Sequence, residues 1–128
     1  MRLLIDTHAL IWFFDGNSAL SSAARAAMED ESNERFISHA VPWEMAIKMS
    51  LGKLSLKTDY EVIFPGVCDA NGFQMLTPTV QHYRDLIALP RHHGDPFDRL
   101  MICQAQCEGL TLVSCDPHFQ AYGVSLLW

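Results

Sequence analysis

A three-layer α/β/α fold is what the sequence predicts, on two observations. Short apolar runs alternate with segments of helical spacing along the chain, the pattern of βαβ units that close on a parallel sheet. The first run, Leu3-Leu4-Ile5, is apolar without interruption. Such a run suits a strand covered on both faces, in the middle of a parallel sheet.

Composition agrees. The 128 residues are 49% apolar and 19% charged, in the range of a single globular domain spanning 1–128. No apolar run approaches the roughly 18 residues of a membrane span. Asp6 interrupts the first apolar stretch and Arg2 is a lone charge, so no signal-peptide pattern is present and a cytoplasmic protein is expected. The net charge of −6 argues against broad nucleic-acid binding through a basic face. It leaves room for an acidic site that turns locally positive when cations enter.

Taken in order, His8 to Phe14 reads as a short helix closed by Asp15-Gly16-Asn17. A second helix runs from Ser22 to Asp30, and a strand from Arg35 to Ser38. Val41 to Leu51 is a helix with Trp43, Ala46, Ile47, Ser50 and Leu51 along one stripe at helical spacing. A further helix starts near Asp59, with Tyr60, Ile63, Phe64 and Val67 on one face; Pro65-Gly66 should break or kink it. Phe73 to Leu76 is a strand. Thr77-Pro78-Thr79 opens a helix with Val80, Tyr83, Leu86 and Ile87 at helical spacing. After a loop at Pro90 to Gly94, Asp95-Pro96 starts a helix to about Glu108, capped by Gly109. Leu110 to Val113 and Val124 to Leu127 are the last strands, separated by a turn begun by Asp116-Pro117.

Four acids stand out, each with a simpler alternative. Asp6 follows the first strand, at the sheet edge where ligands of open α/β folds bind, but it suits an N-cap equally. Asp98 lies in the first turn of a helix that continues Leu100-Met101-Ile102-Cys103 and is therefore buried. Asp116 follows a strand and precedes a proline, so it too is a candidate cap. Glu44 sits one turn into its helix, where an ion pair with Lys48 is the alternative. A fifth acid, Asp95, has the setting of a cap before Pro96. Together, Asp6, Asp98 and Asp116 would lie at one edge of the sheet, with the hydroxyls of Thr7, Ser38 and Ser114 nearby to orient carboxylates or waters. An all-oxygen acidic cluster selects Mg²⁺ or Mn²⁺, and its commonest chemistry is phosphodiester hydrolysis.

Several segments then match a known family. They are Leu3-Leu4-Ile5-Asp6-Thr7-His8-Ala9-Leu10-Ile11-Trp12, Trp43-Glu44-Met45-Ala46-Ile47-Lys48 and Leu51-Gly52-Lys53-Leu54. Further along come Asp95-Pro96-Phe97-Asp98-Arg99-Leu100-Met101-Ile102 with Gln104-Ala105, and Glu108-Gly109-Leu110-Thr111-Leu112-Val113-Ser114-Cys115-Asp116. The chain resembles PIN-domain ribonucleases, specifically the toxin subunits of VapBC-type toxin–antitoxin modules. The resemblance implies a five-stranded parallel sheet in order 3-2-1-4-5 and a Mg²⁺- or Mn²⁺-dependent endoribonuclease. It further implies an RNA substrate, a cognate antitoxin and a homodimer. Its metal-binding acids fall on Asp6, Glu44, Asp98 and Asp116. It implies a supporting or capping place for Asp95, ligand orientation by Thr7 and Ser114, and Arg99 tying the acids together or touching substrate phosphate.

Two other functional classes stay open at this level. One is a non-catalytic α/β interaction module whose acids are only caps. The other is a metal-dependent phosphatase, although no DxDxT motif is present. Lys48, Lys53, Arg91 and Arg99 are the candidates for backbone-phosphate contacts. His92 and His93 either meet RNA or are ordinary loop residues. The four cysteines read as reduced and mostly buried; a metal site using Cys103 and Cys107 with nearby histidines is the alternative.

Overall fold

The computed structural model describes residues 1–128. Five parallel strands form one sheet in the order β3-β2-β1-β4-β5. They are β1 (Arg2–Ile5), β2 (Glu34–Ser38), β3 (Phe73–Leu76), β4 (Thr111–Val113) and β5 (Leu126–Leu127). Leu4 pairs with Phe36 on one side and Leu112 on the other, so β1 is the central strand. Leu3, Leu4 and Ile5 are fully buried, the physical content of their unbroken apolar run.

The connections are helical. Helices α1 (Thr7–Asp15) and α2 (Ser22–Glu29) join β1 to β2. After α1, Gly16 takes a φ of 63° and donates its N–H back to the Phe13 carbonyl, ending the helix in the left-handed turn that favours glycine. Helix α3 (Ala40–Ser50) follows β2. The segment beyond it breaks as expected. A single turn α4 (Tyr60–Val62) passes into a wide π turn (Ile63–Val67) and then α5 (Cys68–Ala70). Phe64 leaves helical geometry at φ −115°, ψ 117°, the extended conformation that a following proline imposes. Helices α6 (Val80–Ala88) and α7 (Pro96–Glu108) bring the chain from β3 across to β4, and a 3₁₀ turn (Pro117–Tyr122) leads to β5. No helix is long and apolar enough to cross a membrane.

Two of the apolar stripes lie mostly outside the core. In α3 the buried residues are Ala40, Val41, Glu44 and Met45, whereas Trp43, Ala46, Ile47, Ser50 and Leu51 are exposed. In α6 only His82 is buried; Val80, Tyr83 and Ile87 lie in solvent. Helical spacing identified an apolar face in both cases, but most of that face lies in solvent, with Trp43 packing edge-on against Phe97 of α7 at 5.1 Å. Ala40, Val41, Met45 and the Glu44 carboxylate make the inward contacts of α3, and a capping histidine makes that of α6. Two of the four cysteines, Cys107 and Cys115, are exposed rather than buried.

The strand order reverses at β1. From β1 the chain moves outward to β2 and β3, then returns past β1 to β4 and β5. The carboxyl ends of β1 and β4 therefore flank a switch point, where the loops diverge and open a crevice.

Candidate active site

Four elements deliver acids to that crevice. Asp6 ends β1. Its N–H continues the ladder by donating to the Val113 carbonyl at 3.2 Å, while its Oδ1 accepts the Ala9 N–H at 2.7 Å and caps α1. Capping and site duty are thus compatible, since the cap engages one oxygen of the carboxylate. Glu44, one turn into α3, has a side chain only 5% exposed. Its Oε1 accepts the Thr7 hydroxyl at 2.7 Å and its Oε2 accepts Lys48 Nζ at 2.5 Å. The i+4 pair with Lys48 exists, but on a buried carboxylate rather than at the surface.

Asp98 sits in the first turn of α7, with Oδ2 3.3 Å from His93 Nε2. Asp116 lies beyond β4, where its Oδ1 accepts the His118 N–H at 2.9 Å and meets His118 Nδ1 at 2.9 Å. The Ser114 hydroxyl accepts the Asp116 N–H at 3.0 Å and donates to Asp6, linking two of the acids.

Electrostatics show that the acids share one environment. Burial pushes the Asp98 carboxyl up to about 7, reinforced by the negative charges of Asp95, Glu44, Asp116 and Asp6. Burial also raises Asp6, and Asp116 adds to it, against opposing hydrogen bonds from Ser114 and Ala9. Lys48 is raised: burial opposes its charge, but the bond and charge of Glu44, with Asp95 and Asp98, outweigh this. His93 is lowered by burial and by the neighbouring His118.

Asp95 is the N-cap of α7. Its Oδ1 accepts both the Phe97 N–H at 2.9 Å and the Asp98 N–H at 3.0 Å. Arg99 is displaced from the place expected of it. It is buried, and its guanidinium donates to the carbonyls of Pro90 and Leu89 and to the Tyr122 hydroxyl, with no ion pair to any acid. Lys48 and Arg99 are both committed internally, so of the four candidate phosphate contacts Lys53 and Arg91 remain exposed. Ser38 accepts the Ala40 N–H at 3.0 Å and serves the start of α3.

Three residues at the site had little or no sequence signal. His93 was one of two loop histidines with no feature to separate them. His118 follows Asp116 by two residues, which was the available clue. Tyr122 lies far along the chain from His93, yet its hydroxyl is 2.8 Å from His93 Nδ1.

The donor set fits a hard divalent cation. Four carboxylates, with no thiolate among them, come to one edge of the sheet from β1, α3, α7 and the loop after β4, near enough for the other three to act on Asp98, although no three of them bring ligand atoms within 4.8 Å of one another. A second cluster does not fit a metal. His82, Cys107 and Glu108 bring ligand atoms within 4.8 Å of one another. But His82 Nδ1 accepts the Thr79 N–H at 3.0 Å in a capping box, so the ring's proton is on Nε2, where it meets Glu108 at 2.9 Å. Neither ring nitrogen has a lone pair left for a cation. The largest cleft, about 440 Å³, also lies away from the acids, at the opposite sheet edge around Asn33, Arg35 and Asn71. A cleft of about 330 Å³ adjoins Asp6 and Asp116, walled by His8, Trp12 and His118.

The PIN domain family model matches residues 3–124, and the chain belongs to that family. No curated protein matches the sequence. Solved structures match over almost the whole chain. A chain of VapBC2 from Rickettsia felis, bound to a DNA fragment from its promoter, superposes with a TM-score of 0.73 at 15% identity, covering 99% of this chain and 98% of that one. VapBC-1 from nontypeable Haemophilus influenzae gives 0.66 at 17% identity, covering 99% and 97%. A toxin–antitoxin complex from Klebsiella pneumoniae gives 0.65 at 18% identity, covering 98% and 96%. At these identities the likeness is one of fold.

Proposed function

We propose that this protein is a Mg²⁺- or Mn²⁺-dependent endoribonuclease, the toxin of a VapBC-like toxin–antitoxin pair, with residues 1–128 acting as one catalytic domain in the cytoplasm. The observation that carries the reading is the placement of Asp6, Glu44, Asp98 and Asp116, delivered by separate elements to the carboxyl edge of the sheet at its switch point in a chain of the PIN domain family. A fold that spends stability on mutual repulsion among buried carboxylates has built a site for positive charge.

Asp6, Glu44, Asp98 and Asp116 are the residues that would hold the cation. The bound ion supplies a water of lowered pKa and neutralises charge on the phosphodiester. The chain's own residues set the stage. Thr7 and Lys48 fix the two oxygens of Glu44, and Ser114 ties Asp6 to the backbone of Asp116. Lys53 and Arg91 are exposed to meet the RNA backbone. The largely exposed apolar faces of α3 and α6 suit protein partners, an antitoxin and a second copy of the chain. The VapBC and other toxin–antitoxin complexes of the same fold support that partnership.

The test is cleavage of total RNA by the purified protein with Mg²⁺ or Mn²⁺. Cleavage should stop with EDTA and in Asp6→Asn and Asp98→Asn, and expression should arrest growth only for the wild type. Equal cutting by these variants would overturn the assignment. No cutting or cation binding by the wild type would favour a non-catalytic interaction module.

A further inference from the structure

Tyr122 makes more contacts than a phenol can satisfy in only one way, and that fixes the state of its neighbour. Its oxygen lies within reach of three N–H donors: His92 N at 3.2 Å, His93 N at 3.1 Å and Arg99 Nη1 at 3.1 Å. They fill the two acceptor sites of a hydroxyl oxygen and crowd it. The phenolic proton must therefore leave the oxygen outward, and two acceptors are available. His93 Nδ1 lies at 2.8 Å and the His93 carbonyl at 3.5 Å. The nearer one takes it. His93 Nδ1 is then an acceptor, and the ring proton is on Nε2. Nε2 faces Asp98 Oδ2 at 3.3 Å, and an unprotonated carboxylate oxygen there accepts that proton in a hydrogen bond.

We propose that His93 is a positioning residue for Asp98, a neutral imidazole locked by Tyr122 in its Nε2–H form. The Nε2–H holds one carboxylate oxygen and would leave the other free to take the cation. The proposal rests on the metal-site reading above. It gives Arg99 a function too, because the buried guanidinium, anchored on the Pro90 and Leu89 carbonyls, is what fixes the Tyr122 oxygen. The His118 ring stacks on His93 at 5.0 Å and 8° and braces it from the side of Asp116. The chain Arg99–Tyr122–His93–Asp98 runs from the buried base of the Pro90–Gly94 loop to the acids.

The experiment has two independent readouts on the full chain. Imidazole ¹⁵N–¹H spectra of the EDTA-treated wild type should show His93 as the Nε2–H tautomer, and Tyr122→Phe should abolish that single form. Calorimetric titration with Mn²⁺ should show His93→Leu binding about tenfold or more weakly than wild type. His93→Gln, whose Nε2–H₂ restores the donor, should stay within about threefold. Tyr122→Phe should weaken Mn²⁺ binding in the His93 background and leave it unchanged in the His93→Gln background, which separates tautomer control from loss of a structural contact. Circular dichroism and melting confirm folding of each variant. A wild-type Nδ1–H tautomer overturns the inference, as does His93→Leu binding Mn²⁺ like wild type, or His93→Gln binding as weakly as His93→Leu. Absence of Mn²⁺ binding by the wild type overturns the metal-site reading instead.

Discussion

The two ends of the sheet treat charge in opposite ways. At the amino edge, Arg2 Nε meets Glu34 Oε2 at 2.8 Å and its guanidinium also reaches the Glu108 carbonyl. The terminal ammonium bonds Asn33 at 2.8 Å, and Arg35 donates to the Asn33 and Met28 carbonyls. Opposite charges and dipoles are matched there, much of it in solvent. At the carboxyl edge four acids from separate elements crowd together, with Lys48 the one cation bonded to them. The first edge is arranged for folding. The second gathers negative charge that a proton on Asp98 relieves and, on the function proposed above, a bound cation would relieve; the same central strand ends at both.

Breaking the carboxyl edge should have the largest effect. Asp98→Asn is expected to lower RNA cleavage by more than about a hundredfold, since even residues that only support metal ligands cost ten- to a hundredfold. A gel assay on total RNA measures it. Next in size is the stabilisation by the cation. Mn²⁺ at about 100 times its Kd adds about 2.7 kcal/mol, roughly 10 °C in Tm for a domain of this size. Asp98→Asn should show little of that rise in a thermal melt.

The acids also set a pH dependence. The folded Asp98 titrates near 7, above the roughly 4 of an unfolded aspartate, so the folded state binds the extra proton between those values. Stability of the EDTA-treated protein should therefore fall as pH rises from about 4 towards 7, by linkage. Urea melts across that range check the slope, and Asp98→Asn should flatten it. The smallest effect belongs to the amino edge. Arg2→Ala should cost under about 1 kcal/mol, as exposed pairs do, with RNA cleavage unchanged.

Much of this arrangement was legible because its signals are local. Leu3-Leu4-Ile5 announced a central strand, Asp95-Pro96 a helix start, and Gly109 its end, each through the backbone geometry of neighbouring residues. The acids were legible by position, one at a strand end and one in the first turn of a buried helix. The stripes Trp43–Ile47–Leu51 and Val80–Tyr83–Ile87 were legible only in part, because spacing reports that a face is apolar, not what covers it. Arg99 misled for a related reason. Its place beside Asp98 in the chain suggested a charge partner, while its side chain turns to carbonyls of the preceding loop. The contact between Tyr122 and His93 spans 29 residues and arises from the fold alone.

The most direct test of the contrast between the two edges is calorimetric titration of Mn²⁺ into wild type, Asp98→Asn and Arg2→Ala. The account predicts saturable binding in wild type and Arg2→Ala, and its loss in Asp98→Asn. Binding that survives in Asp98→Asn, or no binding in the wild type, would contradict it.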